Sequence, residues 1–141
     1  MEKLKINELK IGNIVIYEDK WHKITSLRIG DRNDYADMQC LTKCAPRDEN
    51  SLDKIEELQP IPLTKEILLK CGFQIIEKHI EYYVYWIKVP SEPFYTNIQI
   101  RYEKDSGSYY LKDINACDIN YLHQLQNLYF ALTNNELKIN L

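Results

Sequence analysis

The sequence predicts an α+β protein: a small SH3-like β-barrel over residues 1–59, then, over 60–141, an antiparallel sheet with one short and one long helix packed on it. Three observations predict it. Short β-branched and aromatic runs alternate with turn residues through the first 59 positions. The segment Pro60-Ile61-Pro62 punctuates the chain, because each proline biases the residue before it away from helix. Finally, YLHQLQNLYFALT over 121–133 repeats its apolar residues with the period of an amphipathic helix.

The first strand is the β-branched run Ile14-Val15-Ile16-Tyr17, entered through Leu9-Lys10-Ile11-Gly12-Asn13. A turn at Glu18-Asp19-Lys20 leads to a partner strand from Trp21 to Ser26, whose two-residue period is imperfect. Gly30 to Asp34 marks another turn, and 37–42 reads as a third strand. This hairpin entry suits an SH3-like barrel; an open meander of the same strands fits the pattern equally. Around Pro46 the chain is polar and irregular. Beyond it, two readings stand: a helical turn from Ser51 with Leu52, Ile55 and Leu58 inward, or a closing strand over 54–58.

After the prolines, Thr64 reads as the N-cap of a short helix, Glu66 favours its first turn, and Gly72 ends it. The period then returns to two. Residues 74–79 and 82–89 form a hairpin around Ile80-Glu81, and Ser91 to Tyr95 form a loop. A half-buried strand holds Ile98, Ile100 and Tyr102, and Lys104-Asp105-Ser106-Gly107 turns the chain into a strand over 109–114. Asp118 or Asn120 caps the long helix, whose inner stripe is Leu122, Leu125, Leu128 and Leu132, with Tyr129 beside it. Leu137, Ile139 and Leu141 alternate as a last strand.

Composition narrows the function. With 45% hydrophobic and 28% charged residues the chain is globular, not disordered. A net charge of -3 argues against wholesale binding to a phosphate backbone, and neither half is cationic: 10 basic against 12 acidic residues in 1–60, 8 against 9 in 61–141. No run approaches the roughly 18 apolar residues of a membrane span. The N-terminus lacks a signal-peptide apolar core, which predicts a cytoplasmic protein with Cys40, Cys44, Cys71 and Cys117 as reduced thiols.

The pieces LKIGNIVIY, ELQPIPLTKEILLKCGF, YWIKV and YLHQLQNLYFALT, in this order, resemble a family of small uncharacterised proteins of Bacteroides-type bacteria and their prophages. The likeness spans 9–137 and is most specific in PIPLT and HQLQNLYFALT. It implies a mobile-element setting and carries no activity, cofactor or catalytic residue. Many relatives place Gly just past the helix where this chain has Asn134 and Asn135, which also tolerate the left-handed conformation.

The chemistry-bearing residues favour a binding protein over an enzyme. Cys40-x-x-x-Cys44 is half of a metal motif; His22, Cys71 or His79 could complete it only from distant positions, so no metal site is expected. Cys117, Asp118 and His123 could be read as a thiol with its base, yet such proximity arises often by chance. No catalytic, cofactor or metal residue is assigned. The expected partner-binding residues are His123, Gln124, Gln126 and Asn127 on an uncharged outer helix face, with Tyr83, Tyr85 and Trp86 from the aromatic sheet. The partner is expected to be a protein, with a second copy of the chain also possible and no membrane. The alternative is nucleic acid, held by the barrel through Lys20, Lys23, Arg28, Lys43 and Arg47. A thiol or metal enzyme is the third class.

Overall fold

The computed structural model describes residues 3–44, 49–89, 96–112 and 118–141. The chain is α+β, with two antiparallel sheets and two α-helices among the described residues. It divides into two compact units, Met1–Ile61 and Pro62–Leu141.

The first unit is a four-stranded meander, β1 (Ile14–Tyr17), β2 (Lys20–Arg28), β3 (Tyr35–Cys40) and β4 (Asn50–Lys54), in that spatial order. Glu18 and Asp19 join β1 to β2 with φ of 48° and 61°. Two left-handed residues give the turn whose twist matches that of the flanking strands, usually made by Asn-Gly. Between β2 and β3 the register shifts: Ile24 faces Met38, but Ser26 faces Asp37, leaving Thr25 as the extra residue of a bulge. That bulge is the physical origin of the broken alternation in this segment. It also sets the Ser26 hydroxyl against the Asp37 carboxylate. At the turn before β3, a Cβ on Gly30 would lie 2.2 Å from the Asn33 carbonyl oxygen, so only glycine fits.

β3 starts two residues before the expected 37–42 strand and ends two before it, because Tyr35 and Ala36 pair with Arg28 and Leu27. Neither reading of 51–58 holds as written. The strand lies earlier, at Asn50–Lys54, and Ile55–Glu57 is a 3-10 turn. Leu52 is therefore half exposed, while Ile55 and Leu58 are buried. After that turn, Gln59 exchanges both backbone hydrogen bonds with Ile16, each 2.8 Å, on the edge of β1 that β2 leaves open. No closed barrel is formed among the described residues. The core gathers Leu4, Leu9, Val15, Ile24, Ala36, Met38, Ile55 and Leu58.

The second unit begins with α1 (Lys65–Lys70). The Ile67 N–H donates to Thr64 Oγ1 at 3.3 Å, and Gly72 with φ 93° ends the helix, so that the Phe73 N–H reaches back to Leu68 O. Strands β5 (Gln74–Lys78), β6 (Tyr82–Val89), β7 (Thr96–Glu103) and β8 (Ser108–Leu111) follow as an antiparallel meander. Period-two alternation gives the sheet two faces. Tyr85, Val89, Ile98, Ile100 and Tyr109 are buried on one. The expected loop over 91–95 lies outside the described residues, as does the end of the expected 109–114 strand.

α2 (Leu122–Thr133) starts without help from an Asp118 or Asn120 side chain. Gln124 Oε1 instead accepts from the Asn120 and Tyr121 N–H groups at 2.8 and 3.1 Å. Asn134, at φ 55°, closes the other end in the left-handed conformation. The expected last strand over 137–141 is not formed. Its backbone finds another acceptor, the Asn140 N–H donating to Lys70 O at 2.9 Å while Leu137 is buried.

Two substitutions check these local constraints. Replacing Glu18-Asp19 with Asn-Gly should relieve left-handed strain and raise unfolding free energy by about 1–2 kcal/mol. Thr64→Ala should lower it by about 1 kcal/mol, both read by urea denaturation.

Candidate functional site

The uncharged helix face is only partly available. His123 and Gln126 are 2% and 3% exposed, so the expectation that they line an outer face is corrected. At about 100° per residue, Gln126 falls ~40° from Leu122, whereas Leu128 falls ~120° away. The buried stripe is accordingly Leu122, Leu125, Gln126 and Tyr129, and Leu132 is 56% exposed. The leucine spacing concealed this rotation. Gln124 is occupied at its own helix N-terminus, and Asn127 is half-buried.

The aromatic residues divide between the two faces of the second sheet. Tyr85 is 1% exposed and belongs to the interior, which removes it as a contact residue. Its ring sits 6.5 Å from both Tyr83 and Tyr109, and Tyr102 lies 4.6 Å from Tyr109. Tyr83 is half-buried at the rim of this cluster, beneath the Lys104 ammonium at 4.4 Å.

Trp86 points to the opposite face, which carries Tyr82, Val84, Trp86 and Lys88 from β6, Gln99, Arg101 and Glu103 from β7, and Tyr110 from β8; Val84 is buried there, and Tyr82, Trp86, Arg101 and Tyr110 are half-buried. Here the side chains hold one another in place. The Arg101 guanidinium lies 3.8 Å above the Tyr82 ring, whose other neighbour, His79, stacks at 4.6 Å with planes 5° apart. Arg101 Nε pairs with Glu103 Oε1 at 2.7 Å, and the Tyr110 hydroxyl donates to the same carboxylate. Burial first, and then that carboxylate, raise the Tyr110 pKa. The sequence signal for this array is Tyr82, Arg101, Glu103 and Tyr110 in register. It requires the pairing of β6, β7 and β8, which sequence alone leaves open.

In the first unit, His22 lies directly opposite Cys40 across the β2–β3 ladder. Bends at Thr42 and Lys43 return the chain so that Cys44 meets Cys40, with Cα atoms 6.4 Å apart and the sulfurs joined as a disulfide. That corrects the expectation of separate reduced thiols for this pair. His22 is 3% exposed, its Nδ1 lies 3.0 Å from Lys20 O, and the Tyr17 ring meets it edge-on at 5.5 Å. A hydrogen bond to Asp53 is the main cause that raises the Tyr17 pKa.

The other thiol candidates do not converge. Cys71 is buried at the end of α1, and desolvation pushes its pKa up to about 12. His79 is stacked on Tyr82. Cys117 lies outside the described residues, and Asp118 bridges to Tyr110 through its backbone. Of the expected basic stripe, Arg28 is paired with Asp37 at 2.8 Å, and Arg47 lies outside the described residues. The Ser26 hydroxyl, and next Arg28, hold Asp37 below the usual carboxylate range. No helix of the described residues is long and apolar enough to cross a membrane.

No protein-family model matches this chain, and no curated protein or solved structure does so either. The assignment of function therefore rests on geometry.

Burial has consequences for reactivity and pH. Native Cys71 should resist iodoacetamide at pH 8 and become labelled only on unfolding, as peptide mass spectrometry would show. Both Cys71 and Tyr109 have pKa values pushed up to about 12, from 9 and 10, chiefly by desolvation. Above those ordinary values the unfolded chain releases protons that the folded chain retains. The contribution of these two groups should thus be constant below about pH 9 and be lost progressively toward pH 12, with Cys71→Ala reducing the fall in stability.

Proposed function

We propose that this chain is a non-catalytic accessory protein of a prophage or other mobile element, and that it binds a protein partner through the exposed face of its second sheet. The observation that carries this reading is the ordered array of His79, Tyr82, Arg101, Glu103 and Tyr110, with Trp86 beside it. Aromatic residues and arginine concentrate binding energy in protein interfaces. Side chains already fixed by their neighbours lose little rotamer freedom on association. A flat sheet face of this kind suits contact with another folded surface. Among the described residues, the hollow beside Arg101, Glu103 and Tyr110 is a broad one open to solvent.

Charge pairing supports the protein reading over nucleic acid. A stacking platform for single strands is flanked by unpaired cations that track the phosphates. Here the Arg101 charge is matched by Glu103, and Arg28 on the first sheet is matched by Asp37. The return of Gln59 to the edge of β1 supports an SH3-like arrangement for the first unit, a fold analogy that carries no ligand with it.

A photo-crosslinking residue in place of Trp86, expressed in the native host, should yield one dominant protein adduct. Arg101→Ala in the same chain should reduce the adduct about tenfold while leaving circular dichroism unchanged, a loss equivalent to about 1.4 kcal/mol. A nucleic-acid adduct, or equal crosslinking from Lys23 on the first unit, would contradict the reading.

A further inference from the structure

We propose that His22, Cys40 and Cys44, in the dithiol form of the cysteine pair, bind a thiophilic divalent cation of the zinc class, with a fourth coordination position open to solvent. One ligand atom from each of the three residues lies within 4.8 Å of the other two. Tetrahedral zinc with bonds of about 2.0–2.3 Å separates its ligands by roughly 3.5–3.8 Å, so reduction must let the two sulfurs, bonded to each other in the disulfide, move apart to that spacing beside His22. The inference is independent of the proposed partner-binding face, which belongs to the other unit.

The ligands differ in how they are held, and the differences suit metal binding. Antiparallel pairing fixes His22 and Cys40 opposite each other before any ion arrives. The Lys20 carbonyl, 3.0 Å from Nδ1, accepts the proton of that nitrogen and leaves the imidazole lone pair on Nε2. A backbone carbonyl in that role is the usual outer-shell support of a ligating histidine. Cys44 comes from the bend beyond β3, which can adjust to an ion, and the Cys40–Cys44 interval falls within the spacing of closely paired zinc cysteines.

Around Cys40 Sγ, the Thr42 hydroxyl at 3.7 Å can donate to a thiolate. Both cysteines are half-buried and line a surface hollow of about 330 Å³ together with Thr42 and Glu49, so an ion has a route in and a fourth ligand has room. Two thiolates and an imidazole select zinc over magnesium or calcium, which prefer oxygen.

Disulfide and metal site are alternative states of the same pair. A small-molecule reductant delivers two electrons and two protons to the sulfur–sulfur bond and is itself oxidised, yielding two thiols. Each thiol then gives its proton to water as its sulfur–metal bond forms, so one ion releases two protons.

The test uses the full chain reduced with a phosphine and titrated with zinc against a chromophoric chelator, with cobalt as a spectroscopic substitute. One equivalent of zinc should bind with release of two protons. The wild-type cobalt form should show thiolate charge-transfer absorption and tetrahedral d–d bands, a readout independent of any variant's folding. Cys40→Ser and Cys44→Ser should each abolish the charge-transfer band or halve it. His22→Gln should weaken zinc by at least about tenfold. Cys71→Ser, in the other unit, should change nothing. Absence of zinc uptake by the reduced wild-type chain, or uptake unaltered in Cys40→Ser, would overturn the proposal.

Discussion

Strand β2 is shared by two antiparallel ladders, to β1 on one side and β3 on the other, and this double pairing constrains the rest of the first unit. It places Ile24 in the core and His22 beside Cys40 with one alignment. A slip of one residue would exchange the faces, exposing Ile24 and burying Lys23. Burying an unpaired amine is costly enough to forbid that slip. The register that the core requires is therefore the one that brings the imidazole to the thiols. The bulge at Thr25 then releases the alternation, so that Ser26 and Arg28 can both serve Asp37 near the exposed end of the ladder.

The second sheet uses the same alternation for a different purpose. Its inner face is apolar and tyrosine-rich, while the outer one carries residues that are amphipathic and mutually paired. Arg101 shows how the two levels connect. The register of β7 sets it opposite Val84, between Tyr82 and Trp86 along β6, close enough for its guanidinium to cover the Tyr82 ring. Glu103, two residues further along the same strand, then compensates its charge. The array is thus a consequence of strand pairing, and it costs the fold no buried unpaired ion.

Features set by a few consecutive residues were legible in the sequence. The Thr64 cap, the positive φ at Gly72 and Asn134, and the hairpin around Ile80-Glu81 each depend on local stereochemistry. Features set by pairing between distant segments were not. The leucines of α2 suggested a stripe centred differently from the observed one, because a buried Gln126 carries no apolar signal. Leu52 looked inward only while 51–54 could be read as helix. Tyr85 and Tyr83 are two residues apart and share a face, yet only their positions along the sheet separate an interior ring from a rim one. Most telling, Cys40 and Cys44 were visible as half a motif, and His22 became their neighbour only through the β2–β3 register.

The central claim is that the Lys20 carbonyl and the β2–β3 register present a preoriented imidazole to the two cysteine sulfurs. Nitrogen-15 NMR of the histidine rings in the reduced, zinc-loaded chain tests it most directly. The account predicts that His22 is a single tautomer, protonated at Nδ1, with Nε2 bound to the ion. A proton on Nε2, or ring nitrogen shifts that zinc leaves unchanged, would contradict it.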